Sequence, residues 1–288
     1  MEYVIKNEYL EATVSSRGAE LLKLVDKDGI NRLHTPSDDT WNKVSPILFP
    51  QVSRLKNDEY RVGGNLYKMP KHGFIKDNEL CVVERDSTMI KFKYTQNEDT
   101  FKVYPYNFNF YVTYILYGNV LDVSFVIENP SSTTLRYMLG GHPGFRVPLY
   151  EDEKYTDYSL VFKKKETASK MVLDNGYLSN NYEEYLKDND IINLNHNLFV
   201  DDALIFKDLR SSYVDLISQN HDKKIRFHFS DFEILAIWSK VKENVNLLCL
   251  EPWNGIQKNF VVDHENMGVL ELSPFNSHYH NYKIEVIK

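Results

Sequence analysis

The stretch FNFYVTYILYGNVLDVSFVI, residues 108–127, predicts the fold of this 288-residue chain more clearly than any other segment. Apolar side chains occupy every second position from Phe108 to Leu116 and again from Leu121 to Ile127. Successive side chains of an extended strand point to opposite faces, so each half of the stretch presents one apolar face. Tyr117-Gly118-Asn119 between the halves is a turn sequence. The stretch therefore predicts two antiparallel strands joined by a tight turn.

The rest of the chain repeats this pattern of short extended runs between turn residues. Before residue 108, the predicted strands are 2–6, 9–14, 20–25, 32–34, 60–62, 66–68, 80–85 and 89–94. After residue 200 they are 203–206, 213–217, 224–229, 234–238, 245–250, 268–272 and 279–287. Residues 151–197 are polar and rich in tyrosine, which predicts long loops with one strand and one short helical turn.

Together these runs predict an all-β fold. No long helical period competes with the strands, and no repeat or low-complexity linker divides the chain. A length of 288 residues is ordinary for one large all-β domain. We therefore predict a single domain over residues 1–288, built as a large antiparallel β-sandwich. In such a fold a site is assembled from segments that lie far apart in the sequence.

The amino-acid composition of the chain argues against some classes of function and favours others. The formal net charge of -7 argues against nucleic-acid or anionic-membrane binding, which requires a basic face. The N-terminus has no apolar signal core, the chain has no membrane-spanning apolar run, and only Cys81 and Cys249 are present, so we expect a cytoplasmic protein with reduced thiols. Aromatic residues make up 14% of the chain, and their flat faces suit sugar rings.

The segment LGGHPGFRVPL, residues 139–149, contains the first candidate catalytic residue, His142. Proline after His142 favours an extended backbone, and the neighbouring glycines remove side chains that would block a ligand from the ring. Imidazole titrates near neutral pH and therefore exchanges protons readily. The alternative is a hydrogen-bonded core histidine among turn glycines.

The segment LLCLEPWNGI, residues 247–256, contains the second candidate, Glu251. An apolar strand runs directly into Glu251, and we expect Pro252 to end the strand so that the carboxylate stands at its tip beside Trp253. Burial beside a tryptophan raises a carboxyl pKa and makes the carboxylate a stronger base. The alternative is an ordinary surface glutamate.

Three further polar residues stand next to apolar or turn segments. Arg54 follows the proline-containing run FPQVSR, His72 lies in MPKHGF, and Asp202 directly precedes an apolar strand in FVDDALIF. A second imidazole framed in this way is suited to donate a hydrogen bond to a ligand hydroxyl. Arg54 as an exposed charge and Asp202 as a turn residue are the alternatives.

These motifs carry a family resemblance. HGF at 72–74, GHPGF at 141–145, DALIF at 202–206 and LEPWNGI at 250–256 resemble, in this order, the aldose 1-epimerase (galactose mutarotase) family, and most closely its LacX-like branch. The resemblance covers essentially the whole chain and implies a β-supersandwich fold. It also implies that Glu251 is the general base, that His142 is the general acid, and that His72, Arg54 and Asp202 contact substrate.

The implied activity is interconversion of the α and β anomers of an aldose. A carboxylate takes the proton of the C1 hydroxyl while an imidazolium protonates the ring oxygen, which requires neither metal nor organic cofactor. Trp253 is expected to stack on the sugar. The expected partner is a sugar or sugar phosphate, bound by a monomer or homodimer, with no nucleic acid or membrane.

Rival readings remain open. A hexose-6-phosphate 1-epimerase of the same family would cluster Arg or Lys at the pocket, where Arg146 and Lys71 are possible partners of Arg54. A non-catalytic carbohydrate-binding protein would need no acid–base pair. A glycoside hydrolase would need two carboxylates about 5–10 Å apart, and only Glu251 has a site-like context. His278 and His280 share one strand face but lack a third ligand nearby, so we expect a solvated edge and no metal site.

Overall fold

The computed structural model describes residues 1–37, 40–174, 176–242, 245–257, 263 and 268–288. Its strands in the first half are β1 (Glu2–Lys6), β2 (Leu10–Ser15), β3 (Leu21–Asp26), β4 (Ile47–Leu48), β5 (Glu59–Val62), β6 (Asn65–Lys68), β7 (Cys81–Arg85), β8 (Met89–Thr95), β9 (Asn109–Tyr117), β10 (Val120–Glu128), β11 (Leu135–Tyr137), β12 (Leu139–Gly141) and β13 (Gly144–Phe145). Those in the second half are β14 (Tyr158–Asp174), β15 (Tyr177–Asn193), β16 (Leu204–Lys207), β17 (Tyr213–Ser218), β18 (Lys224–His228), β19 (Ile234–Trp238), β20 (Leu248–Asn254), β21 (Leu270–Leu272) and β22 (Ser277–Ile287). Helical segments are α1 (Glu98–Val103) and four 3₁₀ turns, Lys56–Asp58, Ile75–Asp77, Tyr155–Asp157 and His196–Phe199.

One large sheet dominates the described part of the chain. Its strand order is β4-β12-β20-β19-β16-β14-β17-β18-β22-β10-β9-β8-β7, with β13 also paired to β20 and β15 to β14. Smaller sheets contain β1-β2-β3, β5-β6 and β11-β21. Neighbouring strands in these sheets run antiparallel, which confirms the predicted all-β antiparallel architecture.

The stretch at 108–127 folds as predicted. β9 and β10 pair antiparallel around the turn, with Tyr117 opposite Val120 and Phe110 opposite Ile127. The alternate apolar side chains of both strands are buried in the core, at 3% exposure or less. At roughly 1.5–3 kcal/mol for each large apolar side chain that leaves water, this face contributes strongly to stability.

The prediction for residues 151–197 is wrong. The segment forms β14 and β15, two paired strands of 17 residues each, with 3₁₀ turns at either side. Charged residues interrupt the alternation of β14 where the strand is exposed, and its register with β15 shifts repeatedly. Because much of this pair faces water on both sides, it lacks the one-sided apolar pattern by which a strand is recognised.

A smaller correction concerns residues 32–34, predicted as a strand of a hairpin with 20–25. Residues 31–33 make isolated bridges instead, Asn31 to Val25 and Leu33 to Phe145. Leu33 is thereby tied to β13, and the backbone N–H of His34 donates to the carbonyl of Gly144 at 2.9 Å. This segment therefore packs beside the glycine-rich stretch that contains His142.

Candidate active site

A cavity of about 430 Å³ opens where β20, β12, the 3₁₀ turn after His72 and the hairpin of β14 and β15 meet. All three tryptophans of the chain line it, together with two histidines, two carboxylates and three lysines. The lining residues are Trp41, Asn42, Lys43, Pro46, Leu48, Ser53, Lys71, His72, Lys76, His142, Leu173, Asp202, Ala203, Ile205, Trp238, Glu251 and Trp253. A cavity with apolar aromatic walls and a few convergent polar groups is typical of small-molecule sites.

Strand register brings His142 and Glu251 together. β12 pairs with β20 through Gly140 and Trp253, and β13 pairs with the same strand through Gly144 and Cys249. Both pairings have the same antiparallel register, which places position 142 opposite position 251. The His142 Nε2 atom lies 3.1 Å from Glu251 Oε1. The juxtaposition is thus set by backbone pairing on both sides of the histidine.

Glu251 does not stand at the tip of its strand, as the sequence suggested. β20 continues through Asn254, and Pro252 lies inside it opposite Leu235 of β19. Only 2% of Glu251 is exposed. Its carboxyl therefore reaches the cavity from the middle of a buried strand, which fixes its position more firmly than a strand end would.

The glycines around His142 serve packing more than ligand access. A Cβ on Gly140 would lie 2.8 Å from Trp253 Cδ1, and one on Gly141 would lie 2.7 Å from Tyr282 Cε1. A Cβ on Gly144 would lie 2.8 Å from Leu247 Cδ1. These distances are below van der Waals contact, so the aromatic and aliphatic walls approach the backbone where side chains are missing.

Burial shifts the pKa values of the pair in opposite directions. It raises the pKa of Glu251 well above its usual value, and Asp202 adds to the rise while the charge of Lys71 opposes it. Burial, with a contribution from Lys71, lowers the pKa of His142 to about 3. Both shifts favour the uncharged forms, a protonated carboxyl and a neutral imidazole, across the 3.1 Å contact.

His72 is held in one tautomer by the backbone of residue 53. The ring Nδ1 accepts a hydrogen bond from the Ser53 N–H at 3.1 Å, and the backbone N–H of His72 donates to the Ser53 carbonyl at 3.0 Å. Burial lowers the pKa of His72 well below its usual value, with His142 as the next cause. The neutral ring therefore carries its proton on Nε2, available to a ligand oxygen.

The local backbone that presents His72 is unusual. His72 has φ +65° and Gly73 has φ +69°. A Cβ on Gly73 would lie 2.2 Å from the carbonyl oxygen of Phe49, so only glycine fits at that position. This left-handed turn brings the 49–53 and 72–74 segments together and aims the His72 ring at the cavity.

The remaining predicted site residues separate into two groups. Asp202 (φ +79°) and Trp253 line the same cavity as His142 and Glu251. Arg54 is not among the lining residues; half of its side chain is exposed, and its Nε lies 3.8 Å from Asp58 Oδ1. Arg54 is nevertheless close enough for its charge to lower the pKa of His72.

Sequence reasoning missed two of the tryptophans and two of the lysines. Trp41 lies against the face of the His142 ring, with centroids 4.6 Å apart, and Trp238 meets that ring edge-on at 6.1 Å. Lys43 and Lys76 line the cavity beside Lys71. Tryptophan is rare in this chain and suited to sugar faces, so its three positions were the available signal.

The expected solvated edge at residues 278 and 280 is wrong. Tyr137 Oη contacts His278 Nδ1 at 2.8 Å and His280 Nε2 at 3.1 Å, and both rings are partly buried. Asn254 Nδ2 donates to His280 Nδ1 at 3.1 Å.

Within the described residues, no group of three or more His, Cys, Asp or Glu side chains is arranged to hold a metal ion. In that same part of the chain, none of the helices has the length and apolar character required to cross a bilayer.

Comparison with known proteins gives a consistent result. A family model described as aldose 1-epimerase matches residues 1–266. The plasmid-encoded protein LacX of Lactococcus lactis subsp. lactis is 32% identical over 283 residues, which cover 95% of this chain and 93% of that protein. These matches confirm the family resemblance carried by the four motifs.

Solved structures agree with the sequence matches. A galactose mutarotase related enzyme from Lactobacillus acidophilus superposes with a TM-score of 0.95 at 31% identity, covering 100% of this chain and 98% of its own. A galactose mutarotase-like protein from Lactobacillus casei ATCC 334 superposes with a TM-score of 0.93 at 28% identity, covering 100% of both chains. The similarity therefore extends over the whole sheet architecture and the strands that carry the cavity.

Proposed function

Because the chain belongs to the aldose 1-epimerase family, we propose that it interconverts the α and β anomers of an aldose by general acid–base ring opening. Family membership supports a carbohydrate epimerase. The observation that carries the finer proposal is the facing pair of His142 and Glu251, 3.1 Å apart in a cavity lined by all three tryptophans.

In the proposed reaction, the two side chains act on the two oxygens that are bonded to C1 of the sugar. Glu251 as carboxylate takes the proton of the C1 hydroxyl, and His142 as imidazolium gives a proton from Nε2 to the ring oxygen. The electron pair of the O1–H bond forms the aldehyde C=O bond, the C1–O5 bond breaks with its pair passing to the protonated ring oxygen, and rotation about C1–C2 precedes ring closure on the other face. The reverse proton transfers restore both groups, and each contributes about 10²–10⁴-fold.

The reactive charge state is a minor form that holds the same number of protons as the major form. Burial favours protonated Glu251 with neutral His142. Transfer of the carboxyl proton to Nε2 gives the carboxylate and imidazolium that ring opening requires. Because both forms hold the same number of protons, a change in pH does not alter the ratio between them. Their populations therefore rise and fall together with pH.

In this proposal, other residues that line the cavity bind the sugar. His72 donates from Nε2 to a sugar oxygen, Asp202 accepts from a sugar hydroxyl, and the Trp253 indole covers a C–H face of the ring. Arg54 lies outside the cavity lining, and its proposed contribution to substrate binding is its charge, which already reaches His72. No step needs a metal or an organic cofactor.

A hexose 6-phosphate is the second candidate substrate, and Lys71, one of the three lysines that line the cavity, favours it. Lys76 is occupied by backbone carbonyls and by Asp77 at 3.3 Å, and Lys43 lies 3.9 Å from both Glu20 and Asp77. Lys71 lines the cavity, is exposed, and has no ion-pair partner among the described residues. An exposed ammonium group without an ion-pair partner, at the opening of a cavity, is suited to bind a phosphate group.

NMR exchange spectroscopy on freshly dissolved α-anomers tests the proposal. A panel of aldoses and their 6-phosphates is measured with the wild-type protein, and with buffer alone as the control. Exchange of a free aldose above the buffer rate supports the first candidate; exchange of 6-phosphates alone supports the second. Saturable binding, followed by Trp fluorescence, with no exchange for any sugar would make the protein a carbohydrate-binding protein without this activity.

A further inference from the structure

The buried His142 ring lacks the hydrogen bond that usually orients a catalytic imidazole. Its Nε2 faces Glu251, but its Nδ1 has no hydrogen-bond partner among the described residues. In most acid–base sites the second ring nitrogen bonds a carboxylate or carbonyl, which fixes both tautomer and ring orientation. A buried polar atom without a partner calls for another source of order.

Aromatic rings surround the imidazole instead. The Trp41 indole lies over its face, with centroids 4.6 Å apart and planes 30° apart. His72 and Trp238 meet its edges at 5.7 Å and 6.1 Å, with interplanar angles of 89° and 79°. One face contact and two edge contacts leave little room for the ring to rotate about χ2.

Trp41 is itself held in place by buried polar groups. His34 Nε2 donates to the Trp41 carbonyl at 3.0 Å, and its ring stacks on the indole with centroids 6.0 Å apart. Glu20 Oε1 accepts from the N–H groups of Val44 at 2.7 Å and Ser45 at 3.1 Å. The carbonyl of Val44 accepts from Gly144 N–H at 2.8 Å. The 41–45 segment is thereby tied to the backbone two residues after His142.

Gly144 shows how closely the two segments fit. A Cβ at this position would lie 3.1 Å from Trp41 Cζ3, tighter than ordinary contact. The missing side chain thus lets the indole reach its place against the imidazole.

We propose that Trp41 is the positioning residue for His142: its indole face, in place of a hydrogen bond to Nδ1, keeps the imidazole turned so that Nε2 faces Glu251 and the substrate. The proposal rests on the proposed function for its catalytic consequence, but the ring orientation exists without substrate. Loss of the face contact should allow a rotated ring with Nε2 turned away. Misplacement of a catalytic group by about 1 Å costs on the order of 100-fold in rate.

Three variants separate the effect of the flat indole face on the His142 orientation from the effect of side-chain volume. Trp41→Leu removes the flat face, Trp41→Phe keeps a smaller one, and Trp238→Phe is the matched control, since Trp238 lines the same cavity but meets His142 only edge-on. The first readout is the side-chain ¹H–¹⁵N spectrum of the free proteins, with His142 signals assigned by their absence in His142→Asn. We expect one set of ring signals in wild type, Trp41→Phe and Trp238→Phe, and a second or broadened set in Trp41→Leu.

The second readout is anomer exchange. Trp41→Leu should lower kcat by about 10- to 100-fold with a smaller change in KM, and Trp41→Phe should recover most of the loss. A single, unbroadened His142 signal set in Trp41→Leu overturns the proposal, whatever the rate. If Trp41→Leu fails to fold, Trp41→Met, which also lacks a flat face, takes its place. A wild-type protein without exchange would refute the proposed function, and the spectra of the free proteins would still decide the positioning role.

Discussion

The cavity has two walls of different construction. β12, β13 and β20 are buried at every position, and strand pairing before and after His142 holds it opposite Glu251. The hairpin of β14 and β15 mixes buried, half-buried and exposed positions, shifts register several times, and reaches the cavity with Leu173. Under the proposed function, the chemical step depends on the buried wall, while the partly exposed hairpin contributes to binding.

The largest expected effect is in the buried wall, at Glu251. Glu251→Gln keeps the size of the side chain but cannot take the C1 hydroxyl proton. Anomer exchange should fall by about 10²–10⁴-fold, with a much smaller change in sugar affinity. Exchange spectroscopy and fluorescence titration measure the two quantities. A Gln variant with the wild-type exchange rate would remove Glu251 from the mechanism.

The pH dependence tests the charge states of the same wall. Because the pKa of Glu251 is raised, wild-type kcat/KM should fall as pH rises and the carboxyl loses the proton that the pair shares. The acid limb should lie near the His142 pKa of about 3, well below pH 6.5, where an ordinary imidazole titrates.

His142→Asn should change the direction of the alkaline limb. The variant loses most of its rate, and its residual activity needs only ionised Glu251. That activity should therefore rise, not fall, as pH increases through the carboxyl pKa. A variant whose alkaline limb still falls as in wild type would show that the limb belongs to another group.

Glycine substitutions compare the stability of the two walls. Gly141→Ala places a Cβ 2.7 Å from Tyr282 Cε1 in the buried wall, and overpacking of this kind costs about 1–3 kcal/mol. Gly176→Ala at the hairpin has φ +78° but no neighbour within 4 Å, so its cost is the left-handed backbone alone, about 1 kcal/mol. Urea unfolding measures both, and equal losses would contradict the contrast between the walls.

The smallest effect is expected at the hairpin. Leu173→Ala trims a partly buried side chain that faces the cavity, so KM should rise a few-fold while kcat stays unchanged, consistent with uniform binding. Steady-state exchange kinetics separate the two constants. A fall in kcat as large as that of Trp41→Leu would give the hairpin a role in catalysis.

The sequence by itself determined the strands that bury one face. Phe108 to Ile127 shows the alternation that a half-buried strand requires, and the order of four short motifs identified the family. His72, His142, Asp202, Glu251 and Trp253 stand out locally because each breaks the pattern of a strand or turn. The structure places these five at one cavity.

Tertiary structure decided what local pattern does not encode. The hairpin of β14 and β15 has polar residues on both faces, so its strands follow from pairing with each other and with β16 and β17. The contact of His142 with Glu251 depends on one register shared by two short strands, and Trp41 reaches the imidazole across about a hundred residues of chain. Side chains distant in sequence meet only when the sheet is assembled, because antiparallel register and close packing, not local propensity, set those distances.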